Sequence, residues 1–334
     1  MNQYKDDLFF VIEEGQANLG SFDKALSMID AACFAGADAI EFQLARANDF
    51  YVRDNPNFKT YLDREFTDLQ IKKLVAYAKS KEINFIAAPL SCKIIDLLVN
   101  AGCFGFNINA SDINNPDILD AVANSGLFFC LSTLMADEKE IDWAVNRISK
   151  NGRCNFALLH GQHTMASGDE GVQVRHTSLG YINVLKNKYQ VPVGFIDHTP
   201  FAWMPVAAVA AGADIVTKHI AISKAEKGPD WQVCLEPDEM KKAIIFAKEM
   251  KESIKVKNKI LAPGENIDRS IMRRSIVASR VIASNNVISR EDIEFKRPGA
   301  GIDPSKYEMV IGKITNRTIM PDEQINLSDL KEKL

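Results

Sequence analysis

Two of the chain's five histidines, His198 in "GFIDHT" and His219 in "IVTKHI", each follow a short run of apolar, β-branched residues. Neutral imidazoles are common ligands of first-row divalent ions, but two of them serve one ion only if the fold brings them together. Adjacent strands lie roughly 4.8 Å apart, which is close enough for two rings at neighbouring strand ends to share a cation. The first apolar run, "LFFVIEEG", stops at Glu13 and Glu14, so a sheet that closes on itself adds a carboxylate with no proximity in sequence. A single histidine at a strand end is more often a hydrogen-bonded structural residue. Two on successive strands, behind Asp197 and Lys218, favour a metal site. His160 also closes an apolar run, with His163 just beyond it. Alone that pair reads as loop surface, although it points into the same rim, and His176 as a solvated residue opening a helix.

The elements that must position these groups are legible as alternating patterns. Strand-like runs cover 8–14, 38–43, 84–89, 104–109, 127–133, 154–160, 191–197 and 213–219. Amphipathic segments lie between them. In 67–81, for example, Leu69, Ile71, Leu74, Val75 and Tyr77 fall near one stripe, and 23–36 and 238–253 are also read as helical. Several such segments end in glycine, as in "AACFAGAD", "LLVNAGC" and "AVAAGAD", the expected helix stop. Eight strands each followed by a helix predict a (β/α)8 TIM barrel, whose chemistry sits at the C-terminal rim of the strands. A doubly wound sheet is the alternative, but no GxGxxG loop follows the first strand.

Beyond the barrel, assigned to 1–256, the stretch 257–274 reads as a polar linker punctuated by proline and glycine. Residues 275–334 carry short β-rich runs and turns, predicting a small second domain, with "SREDI" and "MPDEQI" as turn or helix starts.

Composition narrows the function classes. Hydrophobic residues at 46% and charged residues at 25% are globular values, and 334 residues accommodate a barrel plus an appendage. A net charge of −4 without a basic tract argues against nucleic-acid binding. The start lacks a basic n-region with a long apolar stretch, and no apolar run approaches 18 residues; a cytoplasmic protein that does not span a membrane is expected. Cys33, Cys92, Cys103, Cys130, Cys154 and Cys234 form no CxxC pair and are expected to be reduced packing residues.

"GADAIEFQ", "STLMA", "GFIDHT", "VTKHI", "GPDWQVCLEP", "RRSIVAS" and "KRPGAGI", in this order, resemble the bacterial sialic acid synthase family, over nearly the whole chain. That family makes N-acetylneuraminate, legionaminate and pseudaminate with a (β/α)8 barrel and a C-terminal antifreeze-like (SAF) domain. The resemblance implies condensation of phosphoenolpyruvate with an N-acetylmannosamine-type amino sugar, assisted by a divalent metal, manganese first, with magnesium or cobalt as alternatives. It implies His198 and His219 as the metal ligands, and Glu13, matching the family's "AEIG" glutamate, as the acid/base or water-orienting group. It places Asp230 of "GPD" on sugar hydroxyls, and it keeps Gln43 and Ser132 as substrate contacts, Ser132 on the phosphate side. Arg297 of "KRPG" matches an arginine delivered to the partner's site in a domain-swapped homodimer.

The departures from the family pattern cluster on the phosphoenolpyruvate side. Glu41 stands where the family has the lysine of "VKFQ", and Asn107 where it has that of "YKIAS". Ala88 and Ile196 replace a threonine and a serine, "HGQHTMA" stands for "HCTSxYP", and "EEGQANLG" lacks the usual "NH". A phosphoenolpyruvate anion needs cations and donors to replace water, and glutamate for lysine turns attraction into repulsion. Three accounts follow. Donor contacts are rebuilt by Lys93, Arg175 or His163 from loops; or related metal-assisted carbon–carbon chemistry runs on a less anionic donor, with Glu41 as a third metal ligand; or the chain is a non-catalytic sugar-binding relative. Acceptor specificity falls to loops, including the surroundings of Trp231 and the stretch 47–66, which reads equally as a lid and as a surface excursion.

Overall fold

The computed structural model describes residues 7–150, 155–164 and 170–331, and the chain divides into two compact units, Met1–Val256 and Lys257–Leu334. In the first unit eight strands form a closed barrel in sequence order: β1 (Phe9–Glu13), β2 (Ala39–Leu44), β3 (Asn84–Pro89), β4 (Gly105–Ile108), β5 (Phe128–Ser132), β6 (Phe156–His160), β7 (Val193–Asp197) and β8 (Ile215–His219). Neighbouring strands are parallel, and closure pairs β1 with β8 so that Glu13 stands opposite His219, while on its other side Glu13 stands opposite Glu41. Each strand lies within two residues of its expected bounds, and His198 sits one residue beyond β7.

Strand periodicity decides which side chains enter the barrel. Phe9 and Val11, Ala39, Cys130, Ile196 and Ile215 belong to one buried cluster, the barrel interior. Phe10, Ile12, Ile40, Phe129, Phe195 and Val216 belong to a second cluster that includes helix residues such as Met28 and Leu74. Continuing the first set by steps of two reaches Glu13, Glu41, Ser132, His198 and His219; continuing the second reaches Asp197 and Lys218. A one-residue slip would exchange the two sets.

Surrounding helices are set by local signals. Ser21 caps Phe22–Ala35, which stops at Gly36 with φ 81°, and Thr67 with Gln70 forms a capping box on Asp68–Ser80. Among the described residues no helix is long and apolar enough to cross a membrane. Five cysteines are free thiols; Cys154 lies outside the described residues.

In the second unit β9 (Ser275–Ala278) pairs antiparallel with β10 (Ile293–Lys296), and β11 (Ile314–Thr315) with β12 (Leu330–Lys331). Ile276, Ile282, Ile288, Ile293, Val310 and Ile319 belong to its core. "SREDI" forms a short 3-10 turn, Arg290–Asp292, capped by Ser289. The stretch expected to be a plain linker contains a helix, Glu265–Met272. Ile267 and Ile271, four apart, give it an apolar stripe, and Glu265 and Asp268 suit its first turn, signals that the flanking polar composition obscures.

Candidate active site

The two imidazoles meet. His198 Nε2 and His219 Nε2 are 3.2 Å apart, with ring centroids separated by 5.0 Å. Glu13, level with His219 on the neighbouring strand, places Oε2 3.5 Å from His219 Nε2 and Oε1 against Gln43 Nε2, which donates at 2.7 Å. All three side chains are nearly or fully buried. Burial, helped by His219, His163 and Lys218 nearby, holds His198 well below the ordinary imidazole range, so it is neutral and a ligand by charge state.

Whether these residues suit a divalent cation is tested by two features. Glu13 Oε2 is buried without a hydrogen-bond partner, an arrangement that is costly unless something accepts its lone pairs. Imidazoles binding one ion at about 2.1 Å place their nitrogens about 3.0 to 3.4 Å apart for octahedral or tetrahedral angles, which brackets the observed separation. The residues therefore fit a cation. Among the described residues no group of three or more His, Cys, Asp or Glu is arranged to hold a metal ion.

These groups line a cavity of about 230 Å³ at the barrel rim. Asp230 and His163 stand on its wall, and the His163 ring is 4.9 Å from that of His198. Of the three loop residues considered as reaching in, His163 thus lines the cavity. His160 differs again: it is buried, with Nε2 3.1 Å from the carbonyl oxygens of Thr177 and Ser178, a structural role. His176 is exposed and ends a 3-10 turn, Val174–His176, rather than opening a helix. The stretch 47–66 contributes two short helices, Ala47–Phe50 and Phe58–Asp63. Phe50 and Tyr61, whose rings pack 5.3 Å apart, reach the cavity wall.

The inner end is differently built. Glu41 is 1% exposed, and its Oε1 accepts from Asn107 Nδ2 at 2.8 Å; Ser132 Oγ donates to Asn107 Oδ1 at 3.0 Å. Burial first, and then the neighbouring Glu13, push the Glu41 carboxyl well above the usual carboxylate range. Burial and the neighbouring Glu13 thus weaken, in direction, the expectation that Glu41 repels a donor as an anion. Glu41 Oε1 is taken by Asn107 rather than turned to an imidazole. Leu90, Leu134 and Ile196, together with Asn109 and Ser111, also line the cavity, and no lysine or arginine is among the described residues lining it.

The loop cations lie elsewhere. Lys93 pairs with Asp49 at 2.5 Å, and Arg175 lines a separate groove beside His176 and Phe201. Arg297 belongs to the second unit, where it is exposed just after β10, on a concave face shared with Arg274, Arg290 and Lys296.

Gly15 also supports the site. Its φ of 53° is left-handed, and a Cβ there would lie 2.4 Å from His219 Nδ1. A glycine directly after a strand-ending acidic pair was the available signal.

Comparison with known proteins follows the same lines. A profile described as the NeuB family matches residues 28–259, and one described as the SAF domain matches 273–331. The chain is 34% identical over 328 residues to an uncharacterized protein of Methanocaldococcus jannaschii, covering 96% of this chain and 93% of that one. It is 29% identical over 331 residues to the N,N'-diacetyllegionaminic acid synthase of Campylobacter jejuni, covering 94% and 98%. The N-acetylneuraminic acid (sialic acid) synthetase of Leptospira borgpetersenii superposes with a TM-score of 0.72 at 28% identity, over 78% of this chain and 90% of that one.

Proposed function

Because the chain belongs to the NeuB family, we propose that it forms a carbon–carbon bond between an amino-sugar aldehyde of the N-acetylmannosamine type and a donor less anionic than phosphoenolpyruvate. One observation carries the donor part: the cavity presents Asn107 and Ser132, hydrogen-bonded to one another and to the buried Glu41, with no lysine or arginine on the described wall. A phosphate with a carboxylate moved there would lose hydration without gaining a counter-charge.

A divalent cation on His198 and His219, manganese, magnesium or cobalt, would supply Lewis-acid polarisation of the aldehyde oxygen. The chain's own groups do the rest. Glu13 Oε2 has unsatisfied lone pairs 3.5 Å from His219 Nε2, where it can take a proton from water or a hydroxyl. Gln43 holds the other carboxylate oxygen, fixing the direction in which Oε2 points. Asp230 accepts from sugar hydroxyls on the cavity wall, and Phe50 with Tyr61 offers aromatic faces to the apolar side of the ring.

A second reading is the family's standard condensation with phosphoenolpyruvate. The basic face bearing Arg297, Arg274, Arg290 and Lys296 favours it, if a partner subunit in a domain-swapped homodimer delivers that charge. The two readings separate on incubation with manganese, phosphoenolpyruvate and N-acetylmannosamine or its 2,4-diacetamido analogue. The first expects manganese-dependent sugar binding by calorimetry and no phosphate release; phosphate release establishes the second. Sugar binding that survives both metal removal and Glu13→Gln would instead indicate a non-catalytic sugar-binding protein.

A further inference from the structure

We infer that the outer face of the helix Pro237–Lys255 is a contact between two copies of this chain, set antiparallel about a twofold axis that passes between Ile245 and Phe246.

Pro237–Lys255 packs in the helical layer of the barrel between Phe22–Ala35 and Met204–Ala210. Its buried residues, Met240, Ala243, Ile244, Ala247 and Lys251, mark the inner side. At about 100° per residue, the side turned away from them carries Lys242, Ile245, Phe246 and Glu249, all exposed. Steps of three, one and three are the spacing with which one helix meets another. Apolar residues continue this face on both flanks. Trp203 lines a groove with Phe246 and Met250, and Phe34 lies under Lys241, whose Nζ is 4.5 Å from the ring centroid. Phe34, Trp203, Ile245 and Phe246 are each about half exposed. Together they form a band across three adjoining helices, which singly scattered surface residues do not.

The order of charges identifies the occupant. In an antiparallel pair with this axis, Lys242 faces the second copy's Glu249 and Glu249 faces its Lys242, while Ile245 packs on Phe246 in both directions. That is self-complementary, as an isologous contact must be. A parallel pair would set Lys242 on Lys242 and Glu249 on Glu249. Within its own chain neither charge is paired with another described residue. Glu239 and Glu252 also face one another in the antiparallel order, but each is already engaged. Glu239 Oε2 accepts from the Glu236 backbone N–H at 3.2 Å, and Glu252 Oε1 from Lys255 Nζ at 2.6 Å. An anionic lipid surface or an acidic partner would call for one sign of charge around the apolar band, and this face carries both. Every residue named belongs to the first unit, so the contact needs nothing from the second.

The test is the mass of the full chain in solution, by sedimentation velocity over a concentration series. Phe246→Asp, Lys242→Glu and Glu249→Lys are each expected to weaken self-association at least tenfold, with thermal unfolding unchanged. Each should halve the mass at concentrations where the wild type is assembled. Lys242→Glu combined with Glu249→Lys in one chain restores the facing pairs and is expected to recover the wild-type mass. So is an equal mixture of the two single variants. A wild type that stays a single chain, or a wild-type mass that Phe246→Asp leaves unchanged, overturns the inference. A double variant as defective as the singles overturns the antiparallel register. Capture of the wild type but not of Phe246→Asp on phosphatidylcholine–phosphatidylglycerol vesicles, without self-association, assigns the face to lipid and overturns the inference as well.

Discussion

Asp197 and Lys218 form a fully buried ion pair, 2.8 Å from Oδ2 to Nζ, one residue ahead of each imidazole. They are register partners on β7 and β8, on the helix side of the barrel wall. Asp197 Oδ1 accepts from the Thr199 backbone N–H at 2.8 Å, and Lys218 Nζ donates to the Thr199 carbonyl. The chain on both sides of His198 is thereby tied to the strand that carries His219.

Removing one member strands a charge in the low-dielectric layer. Lys218→Met is expected to destabilise the protein by about 3 to 5 kcal/mol, measured by urea unfolding. Asp197→Leu with Lys218→Met removes both charges and should recover most of that loss. Both variants should weaken binding of manganese, since both lose the Lys218 bond to the Thr199 carbonyl and the double variant also loses the Asp197 bond to the Thr199 N–H. A double variant as unstable as the single one contradicts the assignment of the cost to an uncompensated charge.

Glu14, beside Glu13 but outside the cavity, predicts a pH dependence of stability. Burial raises its carboxyl from 4.5 to about 7, against hydrogen bonds from Asn18 and Gln43 that lower it. The folded state therefore keeps a proton that the unfolded chain releases above about pH 4.5. The contribution of Glu14 to stability is fully present below that value and is lost as pH rises through about 7, ~3 kcal/mol in all. Denaturant titrations at stepped pH should show this slope in the wild type and lose it in Glu14→Gln. Parallel pH profiles for the two proteins contradict it.

Gly15 and Gly36 provide a matched pair. Both have left-handed φ, 53° and 81°, but an added Cβ at Gly15 meets the His219 ring while one at Gly36 meets nothing within 4 Å. Gly36→Ala should cost about 1 kcal/mol of backbone strain and leave metal affinity unchanged. Gly15→Ala should add displacement of the His219 ring and weaken manganese binding at least tenfold by calorimetry. Equal effects on affinity would show that Gly15 does not hold the ring in place.

Much of this geometry was legible in advance because parallel strands buried on both faces read as continuous apolar runs. Their ends, together with ring closure, locate Glu13, His198 and His219 at one rim. What escaped depends on packing between segments far apart in sequence. His160 and His163 look alike in "LLHGQHT", yet one is held by carbonyls of the segment 177–178 and the other faces His198. For Glu41 a sequence does not display the burial and the nearness of Glu13 that push its carboxyl up. The helix Glu265–Met272 was hidden by the proline, glycine and lysine that surround it.

The central claim is that His198 and His219, 3.2 Å apart at Nε2, hold one divalent ion between them. Titration of manganese into metal-free protein, followed by calorimetry and by the electron paramagnetic resonance of free ion, tests it directly. One ion per chain is expected in the wild type, with affinity at least a hundredfold weaker in folded His198→Ala and in folded His219→Ala. Absence of a stoichiometric site in the wild type, or retention of full affinity in either variant, would contradict the account.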